Sequence, residues 1–193
     1  TKPDARKGLA DWERAEDAEA HAYLDGRGIP RDIQNHPRFR ASWRIMNHRG
    51  YWNVAFPYTP EGQVAGIGGV EQRFELPNGS GGRYFTKGGS KGLWFSGQLR
   101  DDRRTVIVEA PVDAMSHAAL SPTALDDASY IATGGQLSDQ NIVALCDAVR
   151  DRGGDVVLAL DNDDAGRAHR DRIVVALESR GLGYTQETPQ RKD

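Results

Sequence analysis

The segment Asp155-Val156-Val157-Leu158-Ala159-Leu160-Asp161-Asn162-Asp163-Asp164-Ala165-Gly166 decides how this chain folds. After Asp155 its first residues are all apolar, the pattern of a strand buried on both faces of a parallel sheet. The run then turns acidic, and Asp164 to Arg180 carries the spacing of a long helix that Gly181 ends. Working outward, Thr105-Val106-Ile107-Val108-Glu109 is a second buried strand ending on a carboxylate, followed by a short helix from Asp113 to Leu120. Ser129 to Ala132 reads as a further strand, and Ser138 caps a helix reaching about Arg152. Tyr184 opens a fourth strand near the end. Strict alternation of strand and helix implies right-handed crossovers and a four-stranded parallel sheet. Residues 104–193 are therefore expected to form a Rossmann-like α/β domain.

The texture upstream is different. Residues 1–11 show no clear periodicity and read as a linker. Trp12 to Asp25 has near-helical spacing, and Pro30 to His36 suggests one further short helix closed by Pro37. Tyr51 to Pro57, Val64 to Leu76, Arg83 to Thr86 and Leu93 to Phe95 are short β-prone runs. Pro60-Glu61-Gly62, Pro77-Asn78-Gly79 and Lys87-Gly88-Gly89 punctuate them. Residues 12–103 are thus expected to be an α+β subdomain with a small antiparallel sheet.

Composition narrows the classes. The 193 residues suit one domain with an appendage or two small ones. A hydrophobic share of 38% with 27% charged residues excludes collagen-like, disordered and membrane proteins. No apolar run approaches the ~18 residues of a membrane span, and no signal peptide is evident. A cytoplasmic setting is expected. The lone Cys146 excludes disulfide scaffolds and cysteine zinc sites, and its apolar helix position predicts a buried, inert thiol. A start at Thr1 and an abrupt stop at Asp193 suggest a piece of something longer.

The net charge of -3 hides an asymmetry. Gly26 to Arg100 holds 11 Lys/Arg against 4 Asp/Glu, whereas Thr105 to Asp193 holds 8 against 15. Of the 15 aromatic residues, 11 lie between Phe39 and Phe95. A basic, aromatic module facing an acidic, aliphatic one suits a polyanion held against a metal.

The carboxylates sharpen that idea. In open parallel sheets, ligands bind beyond the carboxyl ends of the strands. Glu109 and Asp161 lie at two such ends, Asp163 follows Asp161 by two residues, and Asp113 begins the helix after Glu109. Four carboxylates on one edge oppose one another's ionisation, and a hard divalent cation resolves the conflict. The bland alternative is that Asp161 to Asp164 only caps the next helix. Other motifs fail on spacing: a calcium loop needs a ligand where Ala165 stands and a Glu where Arg172 stands. No phosphate-binding Gly-rich loop, serine-hydrolase elbow or zinc-protease helix motif occurs. His21, His36, His48, His117 and His169 are scattered without ligand spacing.

Val106-Ile107-Val108-Glu109-Ala110-Pro111-Val112-Asp113, then Ala132-Thr133-Gly134-Gly135, then Leu160-Asp161-Asn162-Asp163-Asp164-Ala165-Gly166 resembles the Toprim domain of DnaG-type primases, topoisomerases and related nucleases. Upstream, Tyr23-Leu24-Asp25-Gly26-Arg27-Gly28-Ile29 resembles the element that opens the primase catalytic core. The whole is similar to DUF3991/Toprim-like proteins of plasmids, phages and conjugative elements. The resemblance implies a primase-core-like subdomain over 12–103 and a Toprim domain over 104–193, cut short at its C-terminal end.

What it implies for chemistry is specific. Glu109, Asp161 and Asp163 would be the catalytic residues, holding one or two Mg2+ or Mn2+ ions with Asp113 in support. Pro189 to Asp193 resembles the start of a third acidic motif, which adds Asp193 to the ligands. Arg83, Lys87, Lys91, Trp52 and Tyr84 would contact single-stranded DNA or nucleoside triphosphates. The implied activity is primer synthesis by two-metal phosphoryl transfer, with helicase or relaxase segments as partners within a longer parent chain. The alternatives are a Toprim metal-dependent nuclease, with Glu109 as general acid or base, and a non-catalytic single-stranded DNA-binding module.

Overall fold

The computed structural model describes residues 3–75, 79, 81–99, 102–121, 125–135 and 137–187. A four-stranded antiparallel sheet is built from β1 (Arg44–His48), β2 (Tyr51–Tyr58), β3 (Gly69–Glu75) and β4 (Gly81–Phe85), in that order. A second sheet has five strands, β5 (Trp94–Phe95), β6 (Arg104–Val108), β7 (Ala128–Ala132), β8 (Asp155–Leu158) and β9 (Thr185–Gln186), ordered β5-β7-β6-β8-β9. β6 pairs in parallel with β7 and β8, and β8 with β9. The four-stranded parallel core anticipated from the alternation is therefore present, with one correction. Leu93 to Phe95 does not join the antiparallel sheet: β5 pairs antiparallel with β7, Trp94 opposite Ala132, and makes the second sheet mixed.

Alternation along the central strands divides the interior. Val106, Val108, Tyr130 and Ala132 point to one side, into a core shared with Val54, Phe56, Tyr58, Phe39, Trp43 and Trp94. Ile107 and Ile131 point to the other, where they pack under Leu145, Val149, Ile173 and Leu177. These last come from α6 (Asp139–Arg152) and α7 (Asp164–Glu178). α5 (Pro111–Leu120) covers the first face with Ala114, Met115 and Ala118. The basic and acidic halves thus share one continuous apolar core rather than meeting only across a cleft. Ser138 caps α6 as anticipated, its Oγ accepting from the Asn141 N–H at 3.2 Å.

Three expectations upstream need correction. The stretch read as a linker is helical: α1 spans Ala5–Glu13, with Asp4 capping it through the Arg6 N–H. Its key residue is Gly8, since a Cβ there would lie 2.3 Å from the Gly68 carbonyl carbon. A helix that docks through a missing side chain leaves no apolar stripe to read. The helix expected over Trp12 to Asp25 is broken, because Glu16 bridges Ile45 in the antiparallel direction and Ala15 is buried on the sheet. Only α2 (Ala22–Gly26) remains of it, followed by α3 (Arg31–Gln34). Pro37 opens α4 (Pro37–Arg40) instead of closing its predecessor, consistent with the preference of proline for the first helical position.

Strand β1 was not anticipated. It is joined to β2 by Arg49 and Gly50, whose φ values of 55° and 88° make a tight two-residue hairpin turn. Gly8→Ala is expected to lower stability by about 1–3 kcal/mol, the usual range for forcing a methyl into a packed interface. Urea unfolding measures this, and a loss limited to α1 would show as faster amide exchange there alone.

Candidate functional site

The carboxyl ends of β6 and β8 place the acidic residues. β6 hands over to Glu109, and Ala110 leads into α5, where the Asp113 carboxylate accepts the Ala110 N–H at 2.8 Å. The chain leaves β8 through Ala159 and buried Leu160 to reach Asp161. Asp163 is the N-cap of α7, its Oδ1 accepting the Gly166 N–H at 2.7 Å. The capping role weighed from sequence is thus real for one oxygen of Asp163. Gly166 closes the arrangement, because a Cβ there would lie 2.2 Å from the Asp161 carbonyl oxygen and 2.7 Å from Glu109 Oε1. No side chain fits between the helix and the strand end, so the glutamate and the acidic turn stay close.

The electrostatics match that crowding. Burial first, then the charge of Asp161, with Asp163 and Asp113 adding, raise the Glu109 carboxyl to about 7. Its Oε1 is buried and has no hydrogen-bond partner among the described residues. Asp113 is also raised, by burial and then by Asp161, while Arg73 and Arg27 pull it back. Among the described residues, no group of three or more His, Cys, Asp or Glu side chains is drawn together closely enough to hold an ion. Carboxylates at neighbouring strand ends repel one another, and two of their oxygens are already taken by backbone N–H groups. The donor set is nevertheless all hard oxygen and contains a buried acceptor without a partner among the described residues, although Arg167 pairs with Asp164 and Arg170 donates to the Asp161 carbonyl at 3.2 Å in the same turn. Those properties fit a hard cation such as Mg2+ or Mn2+. Asp193 lies outside the described residues.

The basic residues divide between two faces of the antiparallel sheet. Arg73 on β3 and Arg83 on β4 are direct cross-strand partners. Like charges so paired are unfavourable unless anions face them. Glu71 meets Arg73, with Arg73 Nε donating to Glu71 Oε1 at 2.6 Å. Arg83 reaches toward the loop after β7, within 4.0 Å of where a Gly135 Cβ would stand. Lys91 is not a free surface cation: it pairs with Glu71 at 2.7 Å and donates to the Gly134 carbonyl at 2.9 Å.

Tyr84 follows Arg83 and so faces the other side of the sheet. It stacks on His48 with ring centroids 5.2 Å apart, and 38% of it is exposed. Tyr84 and Lys87 line a groove of about 520 Å3 with Lys7, Asp11 and Arg14 of α1 and its cap. Trp52, 46% exposed, lines an adjoining groove with Tyr84 and His48. Of the basic and aromatic residues chosen from sequence, Arg83 and Lys91 lie on the carboxylate side, while Tyr84, Lys87 and Trp52 line the grooves beside α1. Arg73 and Arg27 were not chosen, although both bear on Asp113. The signal for Arg73 was its place two residues after Glu71 in a β-prone run, which puts both on one face.

Residues 106–193 match the Toprim-like family model, which makes this part of the chain similar to Toprim-like domains. Solved structures of primase domains share its fold. The primase fragment of the bacteriophage T7 primase-helicase protein superposes with a TM-score of 0.54 at 13% identity, over 83% of this chain and 62% of that one. The Aquifex aeolicus primase, comprising zinc-binding and RNA polymerase domains, gives 0.56 at 17% identity, over 98% of this chain and 53% of that one. T7 primase domains, captured with the T7 lagging-strand DNA polymerase and bound to an RNA/DNA hybrid and dTTP, give 0.53 at 14% identity, over 93% of this chain and 83% of that one. This chain therefore spans little more than half the length of the first and the A. aeolicus neighbours. No curated protein matches it significantly. Among the described residues, no helix is long and apolar enough to cross a membrane.

Proposed function

We propose that this chain is a metal-dependent, primase-like nucleotidyltransferase core that joins nucleoside triphosphates on single-stranded DNA. The observation that carries the reading is Glu109, whose buried oxygen lacks a partner among the described residues and whose proton is held to about pH 7 beside Asp161 and Asp163. Such a cluster is poised to exchange a proton for a cation. Glu109, Asp161 and Asp163 hold one or two Mg2+ or Mn2+ ions, with Asp113 fixing the turn beside them and Asp193 adding a further carboxylate. The bound ions supply neutralisation of the charge that develops on a transferring phosphoryl group.

The chain's own contribution is positioning. Arg73 and Arg27 act on Asp113, and Arg83 reaches toward the loop after β7; we read this basic side as suited to a triphosphate tail. Trp52 and Tyr84 offer faces for unpaired bases, each worth about 1–3 kcal/mol in stacking, with Lys87 beside them for the phosphates. The T7 neighbour is a fragment of a primase-helicase, which supports helicase segments in a longer parent chain; relaxase segments are the alternative. A phage or mobile-element replication or transfer protein, working in the cytoplasm, is the setting this suits.

Labelled nucleotides incubated with single-stranded DNA and Mg2+ or Mn2+ test the reading, with Glu109→Gln and Asp161→Asn alongside. New short products that vanish in both variants are expected. Template cleavage that vanishes in their place identifies a nuclease, and DNA binding with neither reaction identifies a binding module.

A further inference from the structure

Glu71 lies in the middle of β3 with 1% of its surface exposed. Burial pushes its proton affinity up, but Lys91 and Arg73 outweigh that and hold the carboxyl below its ordinary range. Lys91 sits just before β5, where the chain passes from the antiparallel sheet to the mixed one. Its ammonium touches three elements at once. It donates to Glu71 Oε2 at 2.7 Å and to the Gly134 carbonyl at 2.9 Å, and it stands 4.8 Å from the centre of the Tyr58 ring.

Gly134 continues the chain of contacts, donating its N–H to the Glu109 backbone carbonyl at 2.8 Å. Its φ of +73° suits glycine, and a Cβ would lie 2.8 Å from both Lys91 Cε and Tyr58 Cε1. Gly134 is thus held from both sides, by the ammonium on its carbonyl oxygen and by the strand end on its N–H.

We propose that Glu71 and Lys91 form a latch between the two sheets, which positions Glu109 through the Gly134 peptide. The inference rests on reading Glu109 as a ligand of the ion. Glu71 holds the ammonium in place, the ammonium fixes the Gly134 carbonyl, and the Gly134 N–H fixes the backbone from which the Glu109 side chain departs. An apolar residue at position 91 would pack against Tyr58 and Phe85 equally well, but it could not donate to Gly134. Glu71 is buried and the Lys91 side chain 23% exposed, so in this pair desolvating the two charges offsets much of their attraction. Its retention here is explained by the third contact, which an apolar pair could not make. Lys91 and Glu71 are therefore positioning residues, one step removed from the ligand, like the outer partners that orient ligands in metal sites.

The test compares amide hydrogen exchange and Mn2+ affinity in wild type and Lys91→Met. Exchange at Gly134 is expected to quicken about tenfold while Ala55 and Phe56, deep in the antiparallel sheet, keep their protection. Mn2+ affinity is expected to fall about tenfold. Lys91→Cys alkylated with 2-bromoethylamine rebuilds a terminal ammonium and should restore both readings. Cys146, the only other thiol, is fully buried. Unchanged exchange at Gly134 would overturn the latch. So would equal quickening at Gly134 and Ala55, which marks a general stabiliser, or no recovery on alkylation. If Lys91→Met fails to fold, Glu71→Gln, which keeps the ammonium but removes its counter-charge, is read by the same criteria. Wild-type protein that binds no Mn2+ refutes the ion reading of Glu109, while the exchange comparison still decides the latch.

Discussion

Arg38→Met is expected to lower the stability of the fold by about 3–5 kcal/mol, the range for removing one partner of a buried ion pair. The Arg38 guanidinium is completely buried and pairs with Asp102 through two bonds of 2.6 and 3.0 Å. It also donates to the carbonyls of Leu125 at 2.8 Å and Gly97 at 3.3 Å. One side chain therefore ties α4 to the approach to β6 and to the segment before β7. Methionine fills much of the volume but leaves Asp102 charged and largely without water. Urea denaturation measures the loss. A change under about 1 kcal/mol would mean that desolvation cancels the pair in full. Arg38→Met with Asp102→Leu should recover part of the deficit, because no orphan charge then remains.

Glu109→Gln is expected to do the opposite for stability while removing function. With divalent cations chelated, the wild-type carboxyl has a folded pKa of about 7 against an ordinary 4.5. The folded state therefore binds the extra proton between those values. Its contribution is fully present below about pH 4.5 and is lost as pH rises through about 7. Glutamine stays neutral throughout. The variant should match wild type near pH 4 and become progressively the more stable of the two by pH 8. Added Mn2+ should reverse the order by stabilising wild type alone. A variant that is less stable at every pH, or a difference that does not vary with pH, would contradict a strained carboxylate at this position.

What the sequence made legible follows from physics. β6, β8 and α7 could be read because both faces of the central strands are buried, so each strand is an unbroken apolar run with a carboxylate at its end. α1 was illegible because it docks through Gly8 against Gly68, and close approach of two glycines leaves no hydrophobic period. β1, Arg-Ile-Met-Asn-His, lacks alternation, and its one signal was the Arg49-Gly50 turn that follows it. β5 was recognisable as a strand, but its pairing with β7 is a long-range choice that no local pattern encodes.

The site divides in the same way. That Glu109, Asp161 and Asp163 share one edge was legible because strand order carries them there. Lys91 was singled out only as a nucleic-acid contact and Glu71 not at all, because a charged residue in a strand or a Gly-rich loop ordinarily reads as solvent-facing. Only the tertiary contacts of Gly134 give the pair a role. Trp52 and Tyr84 came from the resemblance; strand parity turns Tyr84 away from Arg83, whereas Trp52, two residues before Val54, has the parity of Arg73 and Arg83 and still lines the groove beside Tyr84.

Mn2+ titration followed by electron paramagnetic resonance, at pH 6 and pH 8, tests most directly whether these carboxylates hold an ion. Wild type, Asp161→Asn and Glu109→Gln would be compared in the same buffer. Saturable wild-type binding that tightens from pH 6 to pH 8, as Glu109 gives up its proton, is the predicted result. Both variants should bind more than about a hundredfold more weakly, beyond the loss caused by disturbing a ligand's outer partner. Equal binding by all three proteins, or none by wild type at pH 8, would contradict it.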